Sequence, residues 1–155
     1  MIEELSTYKG IRSTPSISDH FDEAQNVVLY PGDCLDLLKN IPDNTVQLIV
    51  TSPPYNIGKE YEKKMHLSSY LTQQEIIIKE CVRVLANRGS ICWQVGNYVE
   101  KGSIVPLDAV LYPIFHRLGL LMRNRIIWSF DHGLHCKNRF SGRYETIMWF
   151  TKTND

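Results

Sequence analysis

The sequence predicts an α/β fold with a mostly parallel sheet that ends in an antiparallel hairpin. From residue 27 onward, short β-branched or apolar runs alternate with amphipathic segments at helical spacing. The connections between them are short, as expected of right-handed strand–helix–strand crossovers. The last two predicted strands, 125–130 and 144–151, are joined by a segment rich in glycine and basic residues, which favours an antiparallel pair.

The composition indicates one small globular domain. The chain has 155 residues, of which 43% are hydrophobic, so it can bury a core, although it is small for an enzyme that holds both a cofactor and a nucleic acid. The formal net charge is zero, which excludes a global electrostatic sign of a nucleic-acid partner. The four cysteines are scattered without Cys-x-x-Cys spacing and no apolar run could span a bilayer, so we expect a reduced, cytoplasmic protein.

The first predicted strand follows a polar N-terminal arm. Residues 1–26 lack clear periodicity, and we expect an arm there, with the folded domain at 27–155. A strand over 27–30 is followed by Asp33, a plausible N-cap for a helix that runs to Ile41. Pro42 ends that helix before the apolar strand 46–51.

The middle of the chain continues this alternation. Residues 57–69 contain few apolar anchors and predict a loop over a site. A helix is predicted over 70–85, with 87–89 as its stop, and a buried strand over 90–96. The next helix is predicted over 107–118.

The strand 46–51 ends in the most informative stretch of the sequence. Proline has no N–H and restricts the residue before it, so the strand must stop at Ser52 and continue as an extended loop through Pro53, Pro54 and Tyr55. In open α/β sheets, ligands bind outside the carboxyl ends of the strands. A rigid loop of polar, proline and aromatic residues is therefore well placed for chemistry.

This loop resembles the Ser/Asp/Asn-Pro-Pro-Tyr motif of methyltransferases that use S-adenosylmethionine to modify exocyclic amino groups, above all bacterial DNA methyltransferases. Gly32-Asp33-Cys34 before it and Gly142-Arg143-Tyr144-Glu145 after it agree with that family. The resemblance covers residues 27–152 and implies a Rossmann-like methyltransferase sheet. It also implies double-stranded DNA as the partner, in a restriction–modification system, with the target base flipped out of the duplex.

The resemblance assigns roles to individual positions. Asp33 has two interpretations, as the helix cap and as an acceptor near the cofactor adenosine, and the two are compatible. The basic surplus after residue 117 suits phosphate contacts, although a solvated face would look the same. The implied catalytic residues are Ser52, Pro53, Pro54 and Tyr55; the implied cofactor-binding residues are Asp33, Thr51 and Ser52; and the implied substrate-binding residues are Asn56, Asn97, Arg139 and Arg143.

The residue types suit transfer to an amino group. The lone pair of that nitrogen is delocalised into the base, and acceptors such as the Ser52 side chain and the Pro53 carbonyl would localise it. Methylation of a ring carbon instead needs a cysteine nucleophile, usually after a proline, and no cysteine here follows one. His132, His135 and Cys136 form a small cluster, but no second pair completes a tetrahedral zinc site, so we predict no metal.

One departure from the family stands out. The Phe-x-Gly-x-Gly loop that binds the cofactor is missing from the sequence. In one permuted subgroup that loop follows the catalytic motif, so the chain looks like the N-terminal, catalytic portion of such an enzyme and its sheet is predicted to be incomplete. A second chain carrying the loop and the target-recognition region is then implied.

Two alternatives and one preference remain at this point. The chain could be an inactive or split fragment that needs a partner chain, or an enzyme that methylates RNA or a protein glutamine. The serine before Pro-Pro-Tyr favours N4 of cytosine over N6 of adenine within the family. The sequence does not indicate which DNA sequence is recognised.

Overall fold

The computed structural model describes residues 17–133 and 136–154, and it divides the chain into two compact units, Met1–Asn40 and Ile41–Asp155. Each unit is described by itself. The domain boundary near residue 26 stays a prediction, and residues 1–16 of the predicted arm lie outside the described part. None of the described helices is long and apolar enough to cross a membrane.

Residues 17–40, the described part of the first unit, form two short strands and one short helix. Strands β1, Ile17–Ser18, and β2, Val27–Val28, pair in parallel. Helix α1, Cys34–Leu38, begins at Asp33, whose carboxylate Oδ1 accepts the Leu35 N–H at 2.9 Å. The cap was predicted, but the helix ends well before Ile41 and β2 has its parallel partner in β1. The sequence predicted that strands 27–30 and 46–51 are joined by a helix within one sheet. In the structure β2 pairs with β1, and the strand Val46–Thr51 belongs to a different sheet.

The second unit is organised around a four-stranded mixed sheet. Its strands are β3, Val46–Thr51; β4, Leu85–Val95; β7, Leu121–Ser129; and β8, Tyr144–Thr151, in the spatial order β3-β4-β8-β7. Strand β4 pairs in parallel with β3, whereas β8 is antiparallel to both β4 and β7. Three strands thus run one way, but only one of the three pairings is parallel. The predicted antiparallel hairpin is present, and the expectation of a mostly parallel sheet is corrected to a mixed one.

Two helices bury their apolar sides in this unit. Helix α2, Leu67–Val84, buries residues one turn apart, and helix α3, Leu107–Arg117, agrees closely with its prediction. The Phe115 ring of α3 stacks on Phe150 of β8 at 4.3 Å and meets Trp93 of β4 edge-on at 5.4 Å. The core therefore lies between the helices and the two central strands, β4 and β8. The buried residues of α2 are Tyr70, Gln74, Ile78, Cys81 and Val84.

Two local features differ from the sequence prediction. Helix α2 passes directly into β4 at Leu85, so residues 87–89 lie inside the strand rather than forming the helix stop. The register shift between β3 and β4 at this point accommodates them. Glycine suits position 89, because a Cβ there would lie 3.0 Å from the Gln47 carbonyl oxygen. A missed hairpin follows, β5 at Asn97–Glu100 and β6 at Ser103–Pro106. Its two turn residues, Lys101 and Gly102, have positive φ, the signature of a tight hairpin.

Candidate active site

The candidate site begins where β3 ends. Thr51 is still paired with Trp93 of β4, and the chain then leaves the sheet through Ser52, Pro53 and Pro54. The two prolines have no N–H, so this part of the loop presents carbonyl and hydroxyl oxygens. An acceptor-rich loop suits a ligand group that donates hydrogen bonds, such as an amine, and does not suit an anion.

A chain of hydrogen bonds connects this loop to β8 and β4. The Tyr55 hydroxyl donates to Glu145 Oε2 at 3.0 Å, and Gln94 Nε2 donates to the same oxygen at 2.6 Å. Ser52 Oγ lies 2.9 Å from the Tyr55 hydroxyl oxygen. A phenol has one O–H, and Tyr55 uses it in the hydrogen bond to Glu145, so the Ser52 hydroxyl is the donor in its bond with Tyr55. The lone pairs of Ser52 Oγ are then left for a donor on a ligand.

The phenol at the centre of this chain stays protonated over the physiological range. Burial raises the pKa of Tyr55 to about 12; the hydrogen bond from Ser52 acts in the opposite direction, and the Glu145 carboxylate adds to the increase. Tyr55 is therefore a neutral link between Ser52 and Glu145 and cannot serve as a base near pH 7.

A glycine makes room for the Tyr55 ring. Gly96 directly follows β4, and a Cβ at this position would lie 3.0 Å from Tyr55 Cε2. Such contacts are tighter than side chains normally accept, so the ring needs a residue without a side chain here. The half-buried ring of Tyr55 packs against this glycine and keeps part of its surface exposed.

The loop is anchored by the segment that follows it. Asn56 is 2% exposed, with a φ of 60°, and its side chain bonds the Met65 backbone twice: Nδ2 donates to the carbonyl at 2.8 Å and Oδ1 accepts the N–H at 2.7 Å. Each end of the Asn56 amide thus has a partner in the Met65 backbone, and substrate binding by Asn56 stays a prediction. In the structure Asn56 holds the loop against residue 65 and acts as a positioning residue.

A carboxylate and a phenol hold the same loop from other directions. Glu62 accepts the backbone N–H groups of Asn56, Ile57 and Gly58 at 2.8, 2.9 and 3.1 Å. Tyr70 of α2 donates its hydroxyl to the Pro54 carbonyl at 2.9 Å. The predicted flexible loop over 57–69 is thus tied to the Pro-Pro turn at its start, and the reactive side chains are held on a fixed backbone.

The remaining predicted site residues occupy different places. Asp33 is in the first unit, where it caps α1. Asn97 is half-buried at the start of β5, directly after the glycine that supports Tyr55. Arg139 and Arg143 are exposed in the segment between β7 and β8. Asn97 directly follows Gly96, which packs against Tyr55, and Arg143 lies two residues before Glu145, which accepts the Tyr55 hydroxyl.

The predicted absence of a metal site concerns residues that are only partly described. His135 lies outside the described residues, so its cluster with His132 and Cys136 is not defined. Within residues 17–133 and 136–154, no three His, Cys, Asp or Glu side chains are grouped so as to hold a metal ion.

Sequence reasoning missed the residues that support the loop from afar. Glu145 was noted only as the end of a motif, yet its carboxylate receives both Tyr55 and Gln94. A signal for Glu145 was available: it lies at the start of the predicted strand 144–151, and in an antiparallel pair this start faces the end of the predicted strand 90–96, which contains Gln94. Glu62 and Tyr70 gave no such signal, because their contacts depend on how the loop closes.

Comparisons with known proteins identify the family of this chain. A family model described as DNA methylase matches residues 46–155. The Type II methyltransferase M.BglII of Bacillus subtilis is 53% identical over 126 residues, which is 81% of this chain and 35% of that protein. The chain thus spans about a third of the length of this relative.

Solved structures show the same fold. The PvuII DNA methyltransferase (cytosine-N4-specific) matches with a TM-score of 0.69 at 23% identity, covering 80% of this chain and 48% of that one. The putative DNA modification methylase TTHA0409 of Thermus thermophilus, complexed with S-adenosyl-L-methionine, matches with a TM-score of 0.64 at 26% identity, covering 80% and 54%. With a family model that matches more than two thirds of its residues and a relative at 53% identity, the chain belongs to the DNA methylase family.

Proposed function

We propose that this chain is the catalytic portion of a cytoplasmic DNA methyltransferase of a restriction–modification system. It transfers a methyl group from S-adenosylmethionine to the exocyclic amino group of a base that is flipped out of double-stranded DNA. N4 of cytosine is preferred over N6 of adenine. The observation that carries the proposal is the Ser52 hydroxyl, which is turned into an acceptor by Tyr55 and Glu145 at the end of β3.

The proposed chemistry follows from the acceptors of the loop. The exocyclic amino group donates its hydrogens to Ser52 Oγ and to the Pro53 carbonyl, which withdraws its lone pair from the ring and directs it outward. S-adenosylmethionine supplies an electrophilic methyl group when bound. In the transfer the N–C bond would form as the S–CH3 bond breaks, with S-adenosylhomocysteine as the leaving group; positive charge would develop on the amino nitrogen, and the same oxygens would stabilise it. Because Tyr55 is a neutral phenol, the proton that the nitrogen releases leaves to water.

The target base has to leave the duplex for this contact. Its amino group is paired inside the double helix, so an enzyme that acts on it extrudes the whole nucleotide. The half-exposed ring of Tyr55 offers the flipped base a stacking surface beside the acceptors. In this proposal Arg139 and Arg143 contact phosphates, and Asn97 lines the pocket of the flipped base.

The residues present fit the cofactor only in part. By residue type, the carboxylate of Asp33 and the hydroxyls of Thr51 and Ser52 can each pair with a hydroxyl or amino group of the cofactor, but no glycine-rich loop is found in the sequence. Strand β3 is an edge strand of the described sheet, and its Leu48 and Val50 are 58% and 71% exposed. Such an apolar edge favours pairing with further chain, which in this proposal carries the cofactor loop in the permuted order.

The test of the function is the modified nucleoside. DNA incubated with S-adenosylmethionine and the active enzyme, consisting of this chain with the segment that carries the cofactor loop, should yield N4-methylcytosine in nucleoside mass spectrometry. N6-methyladenine as the sole product would overturn the preference for cytosine, but methyl transfer to an exocyclic amino group would still be the reaction. Methylation of RNA or of glutamine peptides without methylation of DNA would overturn the substrate class.

A second expected result concerns the chain by itself. The 155-residue protein should bind S-adenosylmethionine weakly or not at all in calorimetry, because the backbone surface of a glycine loop is missing. Adding a polypeptide that contains the loop should restore binding. Micromolar affinity of the chain alone, about 8 kcal/mol, would contradict the proposed division of the site.

A further inference from the structure

The segment between β7 and β8 carries a phenylalanine that the fold leaves in water. Phe140 is 98% exposed, whereas Phe115 and Phe150 are completely buried. An exposed apolar residue is common on protein surfaces, but a whole aromatic ring with this exposure gains nothing from folding. Its burial in a partner would be favourable.

The segment is closed at its base by backbone contacts. The Phe130 N–H donates to the Arg143 carbonyl at 3.0 Å. Further along, a Cβ on Gly133 would lie 2.8 Å from the Gly142 carbonyl oxygen, so the two arms approach more closely than side chains permit. Residues 136–141 therefore belong to an excursion with a narrow, fixed base, and Phe140 lies within it.

The charges of this excursion favour a polyanion. Residues 130–143 contain three Lys or Arg, namely Lys137, Arg139 and Arg143, and one acidic residue, Asp131. All three basic side chains are exposed. The chain as a whole has zero net charge, so this surplus is local, and its residues lie within three positions of Phe140 in the sequence.

The C-terminal end of the excursion leads directly into a strand of the candidate active site. Arg143 is followed by β8, whose second residue, Glu145, receives the Tyr55 hydroxyl. Phe140 precedes Glu145 by five residues, so their backbones are at most about 18 Å apart. A duplex whose target base reaches Tyr55 is thus within reach of the Phe140 ring.

We propose that Phe140 enters the base stack at the position that the flipped nucleotide leaves. This inference rests on the proposed function, since it requires a base to be extruded towards Tyr55. The ring stacks between the neighbouring bases and keeps water out, while Lys137, Arg139 and Arg143 hold the phosphates on both sides. Apolar side chains inserted between bases act in this way in other DNA complexes, and an aromatic ring stacks on any base.

The test compares two duplexes of one sequence, one intact and one with an abasic position that already provides the gap. In fluorescence anisotropy titrations at low salt, the 155-residue chain should bind the gapped duplex about 10-fold more tightly, the size expected for stacking of one base on a ring. Phe140→Ala should reduce this ratio to about one and leave the affinity for the intact duplex unchanged. Phe140→Trp should keep the ratio.

Two further variants separate the ring from its surroundings. Arg139→Ala should weaken binding of both duplexes by the same factor and lower the salt dependence of binding, because a phosphate contact does not distinguish the two duplexes. Ile104→Ala, which shortens an exposed apolar residue of β6, should change neither. Equal binding of both duplexes by the unmodified chain, or a preference that survives Phe140→Ala, would overturn the wedge and leave the methyltransferase proposal standing. Failure of the chain to bind either duplex would also overturn the wedge, while DNA as the substrate is tested separately by the modified nucleoside.

Discussion

Replacing Ser52 by alanine should slow methyl transfer about 10- to 100-fold and leave DNA affinity nearly unchanged. In the proposed mechanism the Ser52 oxygen accepts a hydrogen bond from the amino group, and this bond strengthens as positive charge develops on the nitrogen. Its loss therefore costs more in the transition state than in the bound complex. The measurement is a single-turnover rate with the active enzyme, together with a DNA titration.

The matched controls for Ser52→Ala are on the same chain. Ser69→Ala removes an exposed hydroxyl from α2 and should leave the rate unchanged. Tyr55→Phe keeps the ring but removes the acceptor for the Ser52 proton, so the rate should fall less than in Ser52→Ala. Tyr55→Ala also removes the stacking surface, worth roughly 1–3 kcal/mol, and should weaken capture of the flipped base as well. Near-normal turnover in both Ser52→Ala and Tyr55→Ala would remove this loop as the active site.

The second large effect is expected at Asn56 and concerns stability. Asn56→Gly should lower the free energy of unfolding by about 2–3 kcal/mol, because two buried hydrogen bonds to Met65 are lost and the Met65 backbone groups are left without these partners. Asn56→Ala should cost about 1 kcal/mol more, since a φ of 60° is strained for alanine. Urea denaturation of the chain, followed by circular dichroism, measures both.

An asparagine elsewhere in the chain serves as the matched control. Asn44 has a φ of 57° and is exposed. Its side chain accepts one exposed hydrogen bond, from Lys152 Nζ at 2.9 Å, so Asn44→Gly should cost no more than about 1 kcal/mol, and Asn44→Ala should add the backbone strain of about 1 kcal/mol. If Asn56→Gly is as stable as the unmodified chain, the amide does not hold the loop, and the assignment of Asn56 as a positioning residue is wrong.

Several elements could be predicted from the sequence because their causes are local. The bounds of β3 and β8 agree with prediction, since both are β-branched and aromatic runs bounded by turn residues. Helix α3 agrees for the same kind of reason, an amphipathic repeat of its own length. The β5–β6 hairpin was missed, although its Lys101-Gly102 turn is a local signal that could have been used.

Strand pairing depends on partners that local patterns do not reveal. The sequence predicts that β2 is a strand, but its ladder partner proved to be β1. The sheet is mixed because β8 lies between β4 and β7, which the order of elements along the chain does not require. Likewise, α2 ends at Val84 because β4 begins there to pair with β3, although the sequence offers a later stop.

By itself, the sequence determined where the Pro-Pro loop lies and what it presents, because proline removes a backbone donor and cannot continue the ladder of a central strand. Only the tertiary structure decided what that loop does with its side chains. Glu145 meets Tyr55 from 90 residues away, and the contact assigns the Tyr55 proton, leaving Ser52 as an acceptor. The fold also pairs the Asn56 side chain, which the sequence predicted to bind substrate, with the backbone of Met65. A hydrogen bond needs both partners in one place, and that placement is a property of the fold.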